Sequence, residues 1–217
     1  AYEYLKNLGA ELAKENDIDA DLIVPVPDSG VPAALGYAEK SNKRFELGLI
    51  RNHYVGRTFI EPTQNIRSLG VKLKLSSTKT IVQNKSIILI DDSLVRGTTC
   101  LKIVKMLYEN GAKEVHVRIA CPEIKYPDFY GVDMPNKKEL LANEKNNQEI
   151  CEYINAKTLK FLSLDGLYNA LAGEKRNPNF PQFSDHYFTG DYPIKPSDNL
   201  QGLKIKQLSL LSSKSNS

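Results

Sequence analysis

Two neighbouring carboxylates, Asp91 and Asp92, stand directly before Ser93, Arg96, Gly97, Thr98 and Thr99. Paired carboxylate oxygens suit a hard hydrated cation or the hydroxyls of a sugar. A glycine lets an anion approach the main chain closely, and the threonines and arginine add donors, so the turn behind the acids suits a phosphate. An Asp-Asp pair alone is most often a solvated turn, and Gly-Thr-Thr alone is most often a helix cap. It is their junction that points to a phosphorylated ligand held with a divalent cation.

The elements flanking these residues support that reading. Ile87-Ile88-Leu89-Ile90 is wholly apolar and rich in β-branched side chains, as in a strand buried on both faces. Leu101, Val104 and Leu107 recur at helical spacing. A strand end that feeds a glycine turn into a helix N-terminus gathers free backbone N–H groups and the positive end of a helix dipole. The same order occurs earlier in the chain: a strand at Asp21–Val24, a loop Pro25–Gly30 and a helix Val31–Ser41. This repetition predicts an α/β domain with a mainly parallel sheet. In such sheets ligands lie beyond the carboxyl ends of the strands, so the loop bearing Asp28 and Ser29 should face Asp91 and Asp92 across a cleft.

Other elements read as follows. A helix is expected over Tyr2–Asn16, with Leu5, Leu8 and Leu12 on one face, and strands over Phe45–Ile50, Glu114–Ala120 and Leu159–Leu162. Gly111 should close the central helix. Lys138–Asn155 should form one or two helices, and Ser163 should cap a last helix closed by Gly173. The stretch 51–79 holds Arg51, Arg57, Arg67, Lys72, Lys74 and Lys79 against a single acid, Glu61, with breakers at Gly56, Pro62 and Gly70. So long a connection in a compact domain is functional or disordered, and its charge suits a lid closing over an anion and excluding water. A nucleic-acid patch would want more interleaved aromatics than Tyr54 and Phe59.

The chain of 217 residues is long enough for one good-sized core, and its net charge of +3 is too small to imply nucleic acid. No apolar run approaches the roughly 18 residues of a membrane span, and no secretory signal pattern opens the chain. Cys100, Cys121 and Cys151 are scattered and odd in number, which argues for a reducing compartment, here cytoplasmic, and offers no zinc spacing. His53, His116 and His186 share no spacing and read as structural or surface residues.

The strand, acid pair and Gly/Thr turn of 86–99 resemble the phosphoribosyl-diphosphate (PRPP) signature of type I phosphoribosyltransferases. Three further segments, Val24–Ser29 (VPVPDS), Arg51–Phe59 (RNHYVGRTF) and Phe129–Pro135 (FYGVDMP), narrow the resemblance to the amidophosphoribosyltransferases, from near residue 1 to about Pro193. The resemblance implies amino transfer to C1 of PRPP, giving phosphoribosylamine and pyrophosphate at the first committed step of purine biosynthesis. It assigns PRPP binding to Asp28, Ser29, Asp91, Asp92, Ser93, Arg96, Gly97, Thr98 and Thr99. It gives Mg²⁺ to Ser29, Asp91 and Asp92, and substrate-contacting roles in catalysis to Arg57 and Lys74. Tyr54, Phe59, Ile60 and Leu140 match residues near or lining an ammonia passage. Arg51 stands where the resemblance leads one to expect lysine.

The resemblance also implies an N-terminal glutaminase domain that delivers ammonia. The chain begins just before the transferase sheet and reads as a fragment lacking that domain, able at most to use free ammonia. Residues 1–175 are expected to form the transferase domain with its lid at about 51–79, 176–203 a C-terminal arm, and 204–217 a disordered tail. Some relatives carry an iron–sulfur cluster; Asn179–Phe183 has no cysteine and Asp128 occupies another such position, so no cluster is expected. Purine nucleotide inhibitors and a homo-oligomer are expected partners, nucleic acid and membrane are not. A salvage nucleobase transferase and a PRPP-sensing regulator of the same fold are the alternative readings.

Overall fold

The computed structural model describes residues 2–51, 75–129 and 137–193. Its centre is a four-stranded parallel sheet in the order β1-β4-β5-β6, formed by Leu22–Pro25, Ser86–Asp91, Glu114–Ile119 and Thr158–Phe161. Registry runs from Leu22 opposite Ile87 on one side of β4, and from Ser86 opposite Glu114 on the other. As expected of a strand covered on both faces, Ile87, Ile88, Leu89 and Ile90 are all fully buried. Burial of each such side chain favours folding by roughly 1.5–3 kcal/mol.

The two faces of the sheet carry different helices. Ile88 and Ile90 pack with Ile23 against α1 (Tyr2–Asn16) and α2 (Val31–Ser41), joined by residues of the late helix Leu164–Ala172. Ile87 and Leu89 turn the other way, onto the helix Thr98–Glu109 and the helix Asn147–Tyr153. Among the described residues the helices after α2 are, in chain order, α3 (Lys79–Val82), α4 (Thr98–Glu109), α5 (Leu141–Glu144), α6 (Asn147–Tyr153), α7 (Leu164–Ala172) and α8 (His186–Thr189). Ser163 caps α7 by accepting the Gly166 amide at 2.9 Å, and Gly173 closes it in the left-handed region. Gly111 follows the C-cap residue Asn110 at φ 89°, which places it one position beyond the cap.

The stretch Phe45–Ile50 is not one strand. Phe45 makes a single parallel bridge to Ile23, after which the Gly48 amide bonds Glu46 O at 2.9 Å and the chain turns. Beyond this turn β2 (Leu49–Arg51) pairs antiparallel with β3 (Leu75–Ser77) in a separate ribbon. At this break Gly48 lies so close to Val24 and Val82 that a Cβ would meet their methyl groups at 3.0–3.2 Å. The long basic connection therefore leaves from one strand of this ribbon and returns on the other. No helix among the described residues is long and apolar enough to cross a membrane.

The described part of the arm is held by buried polar contacts. Asp185 accepts from Tyr168 Oη at 2.8 Å, from Arg176 Nε at 2.5 Å and from Thr189 Oγ1 at 3.1 Å. His186, also buried, contacts Asp128 Oδ1 at 2.8 Å through Nε2. His116 is buried on β5 against Thr158, so both of these histidines are structural.

Candidate functional site

The carboxyl ends of β1 and β4 lie side by side, and the loops that leave them enclose one cavity of about 390 Å³. Val26, Pro27 and Ser29 line it from the first loop, and 91–100 line it from the second. The loops meet because Gly30 has no side chain: a Cβ there would lie 2.4 Å from the Ile90 carbonyl oxygen and 3.0 Å from that of Val26. The same approach lets the Val26 amide donate to Ile90 O at 2.8 Å, extending the strand pairing past the end of β1.

Asp91 ends β4 and is half-buried. Its Oδ1 accepts the Asp92 amide at 2.9 Å and lies 3.4 Å from the Ser29 hydroxyl of the opposite loop. Asp92 accepts from Ser93 Oγ at 2.9 Å. Neither carboxylate meets a lysine or arginine among the described residues. Burial, and then the neighbouring charge of Asp92, push the Asp91 carboxyl up to about 7. A carboxylate pair left without positive charge is a place for a cation. No group of three or more His, Cys, Asp and Glu side chains is gathered among the described residues. The described residues therefore offer an open half-shell, not a closed cage.

Behind the acids, Gly97 takes φ 72° as the N-cap of α4, a conformation glycine adopts at little cost. No side chain caps this helix and its first turn carries no acid, so its leading N–H groups face the cavity uncontested. Thr98 and Thr99 are exposed beside them. From below, Leu141 and Tyr153 close on Gly97, where a Cβ would meet Leu141 Cδ2 at 2.6 Å. Cys100 also lines the cavity, but burial and then the charge of Asp91 push its thiol up to about 12, so no thiolate is offered.

The structure thus brings Ser29, Asp91, Asp92, Ser93, Arg96, Gly97, Thr98 and Thr99 onto one cavity wall. Asp28 turns outward instead, its Oδ2 2.7 Å from Arg51 Nη1. Arg96 is tied to Glu139, with Nη2 to Oε2 at 2.6 Å, a partnership that the 43-residue separation hides from sequence. Leu140 is fully buried next to that glutamate. Arg57, Lys74, Tyr54, Phe59 and Ile60 lie outside the described residues.

No family model matches the chain. It is 57% identical over 213 residues to the amidophosphoribosyltransferase of Rhizobium etli, a match covering 98% of this chain and 43% of that protein. To the chloroplastic amidophosphoribosyltransferase 1 of Arabidopsis thaliana it is 50% identical over 206 residues, or 95% of this chain and 35% of the relative. Among solved structures, the glutamine PRPP amidotransferase from B. subtilis, complexed with ADP and GMP, aligns with a TM-score of 0.81 at 45% identity. That alignment covers 91% of this chain and 43% of the other, so the chain spans less than half the length of these relatives. Sequence and fold agree that this chain belongs to the amidophosphoribosyltransferase family, over the part that carries the type I phosphoribosyltransferase fold.

Proposed function

We propose that this chain binds PRPP with Mg²⁺ and forms phosphoribosylamine by attack of ammonia at C1 of the ribose. The observation that carries the reading is the Asp91–Asp92 pair, with Asp91 3.4 Å from the Ser29 hydroxyl, in one cavity with the uncapped N-terminus of α4. The 5′-phosphate rests on Arg96–Thr99, where backbone N–H groups and hydroxyls converge. Asp91 and Asp92 take the ribose hydroxyls, and the loop at Asp28 and Ser29 takes the pyrophosphate. Mg²⁺ fits Asp91, Asp92 and Ser29, since it prefers one or two carboxylates and completes its shell with substrate oxygen and water. When bound it supplies charge neutralisation to the departing diphosphate.

In the reaction the C1–O bond breaks and its electron pair leaves on pyrophosphate. The ammonia lone pair forms the C1–N bond, and the nitrogen then sheds a proton. The positive charge that develops on the ribose is favoured by the acids beneath it. Arg57 and Lys74 are assigned to the pyrophosphate, within a basic segment that excludes water. Tyr54, Phe59, Ile60 and Leu140 are assigned to the path of ammonia, delivered in the whole protein by a glutaminase domain. Residues 1–175 make up the transferase domain on this reading, with 176–203 an arm across it. Purine nucleotides as inhibitors are supported by the ADP and GMP bound to the B. subtilis relative. Assembly into a homo-oligomer and a cytoplasmic location belong to the same proposal.

Pyrophosphate release from Mg·PRPP, measured with ammonia, with a panel of nucleobases and with neither, tests the reading. Release that needs ammonia is expected. Release that needs a nucleobase would make the chain a salvage transferase, and binding without release under any condition would make it a sensor.

A further inference from the structure

We infer that Glu139 is a positioning residue for the phosphate turn, holding Arg96 in place through a brace formed by residues 139–141; the inference rests on the reading of Arg96–Thr99 as a phosphate site. Arg96 donates to one oxygen, Glu139 Oε2, from both Nε at 3.0 Å and Nη2 at 2.6 Å. Two residues later the Leu141 amide donates to Val95 O at 3.0 Å, and the Leu141 side chain lies under Gly97. Leu140, between them, is fully buried and anchors the segment. Glu139 thus holds Arg96, and Leu141 holds Val95 and Gly97 on either side of it, from a segment far along the chain.

Glu139 braces Arg96 and does not block it. Arg96 Nη1 makes no hydrogen bond among the described residues, and the arginine still lines the cavity. With two of its donors fixed, the remaining edge of the planar fork is presented without the rotamer freedom of a loose arginine. Both side chains are about half-exposed, so the ion pair adds little to fold stability. Its effect falls on ligand binding, where an immobilised long side chain spares the ordering cost otherwise met on association.

Calorimetric titration of the full chain with ribose 5-phosphate, which carries the phosphate but no diphosphate, reads the brace directly. Glu139→Ala should weaken binding about three- to tenfold, and Glu139→Gln, which keeps an acceptor, should restore part of it. In an Arg96→Ala background the Glu139 change should add nothing, because its only route to the ligand is gone. In pyrophosphate release the KM for PRPP should rise by a similar factor with kcat unchanged, as for an interaction made equally in ground and transition states. Tighter binding by Glu139→Ala, or an equal loss with Arg96 absent, overturns the inference. A wild-type chain that binds ribose 5-phosphate while Glu139→Ala matches it refutes the brace alone. A wild-type chain that binds neither ribose 5-phosphate nor PRPP refutes the functional reading and the brace together.

Discussion

Replacing Asp91 by asparagine should stabilise the ligand-free chain at alkaline pH while abolishing binding of Mg·PRPP. In the folded chain the Asp91 carboxyl titrates at about 7, against an ordinary value of 3.8, because it is buried and faces Asp92. Between those two values the native state binds the proton that the unfolded chain has released. Stability therefore falls as pH rises through that window, and above about 7 the whole penalty is present. At about 1.4 kcal/mol per pH unit the ceiling is about 4 kcal/mol. The cavity admits water to a half-buried group, so about 1–3 kcal/mol is the expected gain. Asparagine keeps an oxygen to accept the Asp92 amide, so the hydrogen bond of the strand end survives. Urea unfolding at pH 8 should show the variant to be the more stable, with the difference shrinking on acidification and closing only as pH falls below 3.8. An added divalent cation should narrow the gap at pH 8 by stabilising only the wild type. A variant less stable than wild type at pH 8, or one equally shifted at both pH values, would show that Asp91 carries no buried uncompensated charge.

Three further perturbations follow from the packing. Gly30→Ala places a Cβ 2.4 Å from the Ile90 carbonyl oxygen; as both partners are backbone, the loop must shift, costing roughly 2 kcal/mol or more in chemical denaturation and weakening PRPP binding in calorimetry. Burial works against ionisation of Asp185, yet Arg176 and Tyr168 hold its carboxyl below the usual range, so its stabilisation is present at neutral pH and fades as pH falls through its folded-state value. Asp185→Asn should accordingly cost about 2 kcal/mol at pH 7 and progressively less on acidification, read as unfolding midpoints across pH. Ser163→Ala removes the cap of α7 and should cost about 1 kcal/mol in urea, with ligand binding untouched because the helix lies away from the cavity.

Sequence by itself determined what is local. The limits of α1 and α2, the double-sided burial of Ile87–Ile90, the Ser163 cap and the strand–turn–helix form of the proposed phosphate site all follow from periodicity and capping, which act within a few residues. The resemblance carried by the Asp91–Asp92 stretch, narrowed by the segments Val24–Ser29, Arg51–Phe59 and Phe129–Pro135, led further, to the family. Only the tertiary structure decided the rest. It split Phe45–Ile50 at Gly48, where Val24 and Val82 close in from elsewhere. It turned Asp28 out to Arg51, tied Arg96 to Glu139 and let Gly30 fit under Ile90. The burial that dominates the raised proton affinity of Asp91 was also decided there, whereas the second cause, the charge of Asp92, is its neighbour in sequence. Burial depends on which distant segments arrive beside a group, and nothing in the spacing of neighbouring residues encodes that arrival.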